Sequence, residues 1–236
     1  MDCRPFFFKQ FGLFHHRSTM KIGTDAILLA RWVEVSKNDE VLDIGTGCGL
    51  IPLMLAQKGI KSADAVEIDY DSYEEAMQNF NNSAWKSRVF AINDDVKHYA
   101  AISDKKYDLI VSNPPFFFGD NIPEKEKKGL ARHTNTLSYN DLLNSVKKLL
   151  KPEGRFALVL PARESKTFLK DAENQGFYLQ KEMKIVPIEG REPNRINMQL
   201  VVNQVDGIDS KTFILRHQDH SFTKEYKDFL KDYYLD

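Results

Sequence analysis

The chain has 236 residues, 42% hydrophobic and 28% charged, with 33 basic against 34 acidic side chains and a formal net charge of −1. That length suits one α/β domain with a full core, and the near-neutral balance excludes a globally basic protein that coats nucleic acid. No apolar run approaches the roughly 20 residues of a membrane span, the first residues carry an early acid and no signal-peptide cleavage site, and Cys3 and Cys48 form no CxxC pattern, so a cytoplasmic location is expected. The six histidines lack partner ligands at metal-binding spacing, and no metal is expected.

Residues 4–23 interleave Phe6, Phe7, Phe8, Phe11 and Phe14 with Lys9, His15, His16, Arg17 and Lys21. The phenylalanines suit a core edge; alternatively, residues 1–23 form a lid whose basic side faces a substrate. Thr24-Asp25 opens a helix through Trp32, and either residue suits its N-cap, although an acid there could also face a cofactor. Val41-Leu42-Asp43-Ile44-Gly45-Thr46-Gly47-Cys48-Gly49 then reads as a strand, a tight turn and the start of a helix over Leu50 to Gln57. Its Gly-x-Gly-x-Gly spacing differs from the dinucleotide fingerprint Gly-x-Gly-x-x-Gly.

Ala63 to Ile68 is the second strand, and Glu67 falls 18 residues after Gly49, about where a ribose diol is gripped in such folds. Ser72-Tyr73-Glu74-Glu75 has the form of a capping box and predicts a helix to about Asn82. Val89 to Ile92 is a short third strand, followed by Asp94 and Asp95, either turn residues or acceptors for an adenine amino group. Tyr107 to Ser112 is the fourth strand and runs into Asn113-Pro114-Pro115-Phe116. A mixed-charge loop, Pro123 to His133, precedes an amphipathic helix from Leu137 to Leu150, stopped by Pro152 and Gly154. Phe156 to Leu160 is the fifth strand, and Arg163 to Gln175 a helix with Gly176 just beyond it. Glu182 to Ile188 and Met198 to Val202 pair as a hairpin, and Thr223 opens a last helix with Tyr226, Phe229, Leu230 and Tyr233 on one face.

Strand–helix alternation with short turns predicts an α/β fold: a doubly wound, mostly parallel, seven-stranded sheet closed by a C-terminal antiparallel hairpin. Ligands of such sheets bind beyond the carboxyl ends of the strands, and Asp43, Glu67, Asp95 and Asn113 each stand at such an end.

The Gly-x-Gly-x-Gly turn, the strand-end acid and Asn-Pro-Pro-Phe together resemble the class I S-adenosylmethionine-dependent methyltransferases with a Rossmann-like fold. Asn-Pro-Pro-aromatic is like the motif of those that methylate an exocyclic or amide nitrogen. Over nearly the whole chain the sequence is similar to the bacterial tRNA(Val) adenosine-N6 methyltransferases. Phe8-Lys9-Gln10-Phe11, Met20-Lys21-Ile22-Gly23-Thr24-Asp25, the glycine loop, Ala65-Val66-Glu67-Ile68-Asp69, Ser112-Asn113-Pro114-Pro115, Ala131-Arg132-His133-Thr134 and Tyr233-Tyr234-Leu235 carry that likeness.

The resemblance implies one catalytic domain over 1–236 and S-adenosylmethionine as cofactor, bound by Asp43, Gly45, Glu67 and Asp95. Asp25, Gly47, Gly49, Ile68 and Asn113 line the same expected rim and join the cofactor set. The target would be the adenosine beside the anticodon, held by Asn113, Pro114, Pro115 and Phe116. The Asn113 oxygen and the Pro114 carbonyl can accept the two amino hydrogens, and Phe116 can stack on a flipped base. Phe116 stands where the family often has Tyr, so any hydroxyl contact is lost. The transient partner is a tRNA, expected on scattered basic clusters: Lys9 with Arg17, Lys127 and Lys128 with Arg132, and Arg191 with Arg195. No membrane and no obligate protein partner are expected. A protein N5-glutamine methyltransferase uses the same motif but usually carries an N-terminal helical domain, for which little chain precedes Asp43. A NAD-dependent oxidoreductase would leave Asn-Pro-Pro-Phe idle and lacks a visible proton relay.

Overall fold

The computed structural model describes residues 4–115 and 137–235. Two short strands, β1 (Phe6–Phe7) and β2 (Gly12–Leu13), pair with each other apart from the main sheet. The main sheet comprises β3 (Glu40–Ile44), β4 (Ser62–Glu67), β5 (Val89–Asn93), β6 (Tyr107–Ser112), β7 (Leu150–Pro161), β8 (Tyr178–Val186), β9 (Arg195–Val201) and β10 (Asp209–Ile214). Their spatial order is β10-β8-β9-β7-β6-β3-β4-β5, and within it β9 alone pairs antiparallel to its neighbours. The seven expected strands and the closing hairpin are all present. The eighth, β10, is an addition: it joins β8 in parallel at the edge, where only Phe213 points wholly into the core.

Strand alternation divides the interior in two. Val41, Ala63, Ala65, Leu109, Val111, Ala157 and Val159 face one side, packed under α1 (Thr24–Trp32), α2 (Leu50–Gln57), α3 (Tyr70–Asn81) and, near the end of the chain, α7 (Lys224–Leu230). Leu42, Ile44, Val66, Ile110, Phe156, Leu158 and Leu160 face the other, under α4 (Val96–Ile102), α5 (Tyr139–Leu149) and α6 (Ala162–Asn174). Each buried Leu, Ile or Phe contributes about 1.5–3 kcal/mol. Helix α2 is buried along Leu50–Ala56 because it lies between α1 and the sheet, and Pro52 is accommodated in its first turn.

Three local expectations are corrected. The α3 cap is Asp69, whose carboxylate accepts from Ser72 N at 2.9 Å, so Ser72 lies inside the helix rather than at its start. Helix α1 starts after Gly23 with no side-chain cap; Asp25 is engaged elsewhere. Pro152 and Gly154 are not what stops the helix: α5 ends at Leu149 and both residues lie within β7. There the register jumps between Tyr107↔Leu150 and Leu109↔Arg155, so Lys151–Gly154 bulge out of the ladder. Proline is harmless in a bulge, and a Cβ on Gly154 would lie 2.7 Å from Leu150 Cδ1.

The chain enters the sheet at its centre, winds outward through β4 and β5, and returns to place β6 on the other flank of β3. Ile44 and Ser112 are register partners, so Gly45 and Asn113 leave adjacent strands side by side at the point where the winding reverses. The Ser112 hydroxyl donates to the Ile44 carbonyl at 2.9 Å and fastens the two strand ends together. Such a reversal opens a crevice at the carboxyl edge.

Candidate active site

The three glycines of the turn all adopt left-handed φ, +72° at Gly45, +55° at Gly47 and +85° at Gly49, a region costing other residues about 1–2 kcal/mol. Space separates their roles. A Cβ at Gly49 would strike Phe80 Cε1 at 2.4 Å, so that glycine lets α3 pack against the turn. A Cβ at Gly47 would come within 3.3 Å of Ser18 Oγ, and one at Gly45 would meet nothing within 4 Å. The open side of the loop is at Gly45.

Glu67, at the end of β4, braces this loop. Its Oε2 accepts from Gly47 N at 2.8 Å and its Oε1 from Asp69 N at 2.9 Å. Gly45 N and Thr46 N donate to the Val66 carbonyl at 2.9 and 3.3 Å. Burial raises the Glu67 carboxyl above the usual range, and the two backbone bonds work against that rise. A carboxylate has about four acceptor sites, so Glu67 keeps capacity for a further donor.

Around the same turn several buried polar atoms lack any partner: both carboxylate oxygens of Asp43, Thr46 Oγ1, Ser18 Oγ and Asn113 Oδ1. Asp43 is fully buried, and burial pushes its carboxyl up to about 7, with the neighbouring Thr46 hydroxyl working against the rise and the Glu67 charge adding to it. Buried polar groups ordinarily find partners, because leaving one unpaired costs about 1–3 kcal/mol. Here the four side chains gather at the carboxyl ends of β3 and β6, and their chemistry is that of acceptors and hydroxyls awaiting donors.

Other expected residues fall on the same rim. Ile68 follows Glu67 and is 50% exposed, an apolar surface beside the acid. Asp95 caps α4, accepting from Lys97 N at 2.8 Å, and Lys97 Nζ lies 3.5 Å from its other oxygen. Asp25 is held by Arg195, Nε to Oδ2 at 2.8 Å, which unites an expected cofactor residue with an expected RNA residue. Arg195 opens β9 opposite Pro161, the carboxyl end of β7, and Arg191 lies exposed in the preceding turn, so both are at this edge. Arg17 is exposed on the segment before α1, whose backbone is bound to α3.

Lys9 is the exception. It lines a cavity of about 490 Å³ with Arg31, Gln57, Lys58, Lys231 and Tyr233. Gln57 and Lys58 end α2, which begins at the carboxyl edge and runs back to the amino edge. Lys9 therefore sits at the opposite end of the sheet from Asn113 and does not share a rim with Arg191 and Arg195. Pro114 is buried and Pro115 exposed. Phe116, Lys127, Lys128 and Arg132 lie outside the described residues. Among the described residues there is no cluster of His, Cys, Asp or Glu suited to a metal, and no helix long and apolar enough to cross a membrane.

Sequence reasoning missed Ser18, Glu75 and Asn79. Glu75 and Asn79 are buried polar positions on the core-facing side of α3 beside Ala76 and Phe80, a stripe that local pattern cannot tell from an exposed face.

Comparison with known proteins bears on this geometry. The methyltransferase small domain model matches residues 6–172. A tRNA1(Val) (adenine(37)-N6)-methyltransferase of Trichodesmium erythraeum is 40% identical over 238 residues, covering 100% of this chain and 99% of that protein. A protein of the same name from Parabacteroides distasonis is 38% identical over 234 residues, with 99% of each chain covered. Among solved structures, a predicted O-methyltransferase of Agrobacterium tumefaciens superposes with a TM-score of 0.66 at 17% identity, covering 89% of this chain and 96% of that one. A putative RNA methyltransferase of Pyrococcus horikoshii superposes at 0.54 and 15% identity, covering 75% and 80%. At those identities the structural likeness speaks for the fold alone.

Proposed function

The chain belongs to the tRNA1(Val) (adenine(37)-N6)-methyltransferase family, and on that premise we propose that it transfers a methyl group from S-adenosylmethionine to N6 of adenosine 37 in a valine tRNA. The observation that carries this reading is the set of unpartnered buried polar atoms on Asp43, Thr46 and Asn113 at the reversal of the sheet. The residues present fit the cofactor: open space over Gly45 for a ligand lying on the backbone, Glu67 with spare acceptor capacity for a ribose diol, and Ile68 as an apolar face for a purine.

When bound, S-adenosylmethionine supplies a methyl group already activated on a sulfonium. The work left to the chain is to hold donor and acceptor in line. An adenine amino group is conjugated with its ring and is a poor nucleophile. Asn113 Oδ1 can accept one amino hydrogen and the Pro114 carbonyl the other, favouring a pyramidal nitrogen whose lone pair is free to react. Proline at 114 and 115 fixes the strand exit and offers no competing N–H. Asn113 is placed for this by the Ser112–Ile44 bond, which ties its strand end to the glycine loop. Phe116 stacks on the base, an interaction worth about 1–3 kcal/mol. Chain 1–236 is read as one catalytic domain, with the part of its N-terminal segment around Arg17 on the substrate side. Arg17, Arg191 and Arg195 serve as phosphate contacts at the carboxyl edge, and Lys127, Lys128 and Arg132 as the further cluster.

Incubating valine tRNA with the protein and methyl-deuterated S-adenosylmethionine, then sequencing the RNA by mass spectrometry, tests this. Labelled N6-methyladenosine at position 37 is expected. An unlabelled tRNA, or label at another base, overturns the assignment.

A further inference from the structure

We propose that Ser18 is a further cofactor-contacting residue, set against the glycine loop by Glu75 and Asn79 of α3, which act as positioning residues. The inference rests on the cofactor reading above. Three consecutive backbone amides, those of His16, Arg17 and Ser18, converge on the Glu75 carboxylate, at 2.6 and 3.0 Å on Oε1 and 2.8 Å on Oε2. Glu75 is 2% exposed, so these are buried, charge-assisted bonds, about twice as strong as neutral ones. One helical turn on, the Asn79 amide closes a two-way bond with the Phe14 backbone: Phe14 N donates to Oδ1 at 2.9 Å, and Nδ2 donates to Phe14 O at 2.8 Å. The same Nδ2 donates to the Cys48 carbonyl at 2.8 Å, inside the glycine turn. Residues 14–18 and the turn thus hang from one face of one helix, and their separation is fixed by it.

The result of that bracketing is the position of Ser18. Its hydroxyl is buried, lacks any partner, and lies 3.3 Å from where a Cβ on Gly47 would be. A serine serving only to shape the strap would turn its hydroxyl to the nearest carbonyl, as Ser112 and Ser83 do. Ser18 Oγ instead joins Asp43 and Thr46 among the unsatisfied polar atoms of the cofactor crevice, approaching from the strap side. A hydroxyl can donate and accept, so it suits a polar group of a bound ligand at that wall. The hydrogen bonds of Glu75 and Asn79 all go to backbone groups, those of residues 14 and 16–18 and of Cys48.

Calorimetric titration with S-adenosylhomocysteine, together with the melting temperature of each ligand-free variant, tests the proposal. Ser18→Ala removes no internal hydrogen bond, so its melting temperature should match the parent while Kd rises about three- to tenfold, the net worth of one hydrogen bond. Glu75→Gln sets an amide donor against backbone donors, and should raise Kd at least as much. The double variant should bind no more weakly than Glu75→Gln alone, because Ser18 is then already out of place. Parent-like affinity in Ser18→Ala, or effects of the two substitutions that simply multiply, overturns the proposal while leaving the cofactor reading intact. A parent chain that does not bind S-adenosylhomocysteine overturns both.

Discussion

The two ends of strand β3 handle their polar groups in opposite ways. At the amino end the carboxylates of Asp39, Glu40, Asp64 and Asp108 are all matched. Asp39 accepts from Arg155 Nη2 at 2.7 Å and Ser36 N at 3.0 Å, while Glu40 lies between Lys61 and Lys151, at 3.0 and 3.1 Å. Lys151 also reaches Asp108 at 2.8 Å, and Asp64 on β4 takes Lys105 at 2.7 Å and the Tyr107 hydroxyl at 2.6 Å. Lys58 donates to the Ala30, Arg31 and Val33 carbonyls that finish α1. At the carboxyl end the side-chain oxygens of Asp43, Thr46 and Asn113 are buried and unmatched. Glu40 and Asp43 share one strand, yet hydrogen bonds from Lys61 and Lys151 hold the first carboxyl below its ordinary range, while burial drives the second well above its own. The closed end contributes to stability, and the open end leaves its acceptors unpaired, as the proposed ligand site requires.

Asn113→Ala should give the largest effect at the open end, lowering kcat roughly 10²–10³-fold, by analogy with loss of one oriented hydrogen-bonding group in an active site. Its melting temperature and cofactor affinity should stay near those of the parent. Single-turnover methyl transfer at the parental rate would remove Asn113 from the mechanism. Gly49→Val should come next, costing about 2–4 kcal/mol from the left-handed φ and the clash with Phe80. Urea unfolding at a parental midpoint would contradict it.

Asp43→Asn separates stability from binding. The folded carboxyl titrates near 7, against about 3.9 when unfolded. Between those values the folded chain holds a proton that the unfolded chain has released, so stability falls as pH rises from about 4 to about 7. The amide cannot titrate. The variant should therefore match the parent near pH 4, exceed its stability by up to about 4 kcal/mol at pH 8, and bind the cofactor more weakly. Parallel stability curves from pH 4 to 8 would show that Asp43 is not an unmatched acid.

At the closed end Asp64→Asn should cost about 1–2 kcal/mol, because Lys105 is partly exposed and solvent screens much of the pair; kcat should be unchanged. Glu40→Gln should matter least, under about 1 kcal/mol, since Lys61 is solvent-exposed and Lys151 only half-buried. Its carboxyl is depressed in the folded state, so that small contribution is present above about pH 4 and lost on acidification. A fall in kcat with Asp64→Asn at full folding would break the division between the two ends.

Much of the open end was legible in the sequence because its chemistry is local. A strand, three alternate glycines and a helix, or a strand stopped by two prolines, announce themselves within ten residues. So did β3, β4, β6 and the inner half of β7, as mostly apolar runs buried on both faces. Strand β10 was not visible: Asp209, Ser210 and Lys211 are exposed at the sheet edge, and Phe213 is its one fully buried anchor. Helix α4 buries only Val96 and Ala100, too little periodicity for so short a segment. The pairing of Asp25 with Arg195 and the hold of Glu75 on residues 16–18 join positions far apart in the chain, and no window of sequence contains them. Lys9 was misplaced for the same reason: its charge is local, but its end of the sheet is decided by the Tyr233 carbonyl.

That contact has a consequence in time. Lys9 N donates to the Tyr233 carbonyl at 2.8 Å, the Tyr233 hydroxyl reaches Met54 O at 3.3 Å, and the Phe8 and Tyr234 rings stack at 6.1 Å. Residues 8 and 9 are made more than 220 residues before 233 and 234. The sheet, the glycine turn and α3 can assemble before that contact forms, but the turn around Phe8 that leads to residues 14–18 stays unclasped until Tyr233 and Tyr234 have emerged. A nascent chain halted before Tyr233 would carry a finished core and a loose N-terminal segment, so this clasp would close in one late step rather than growing with length.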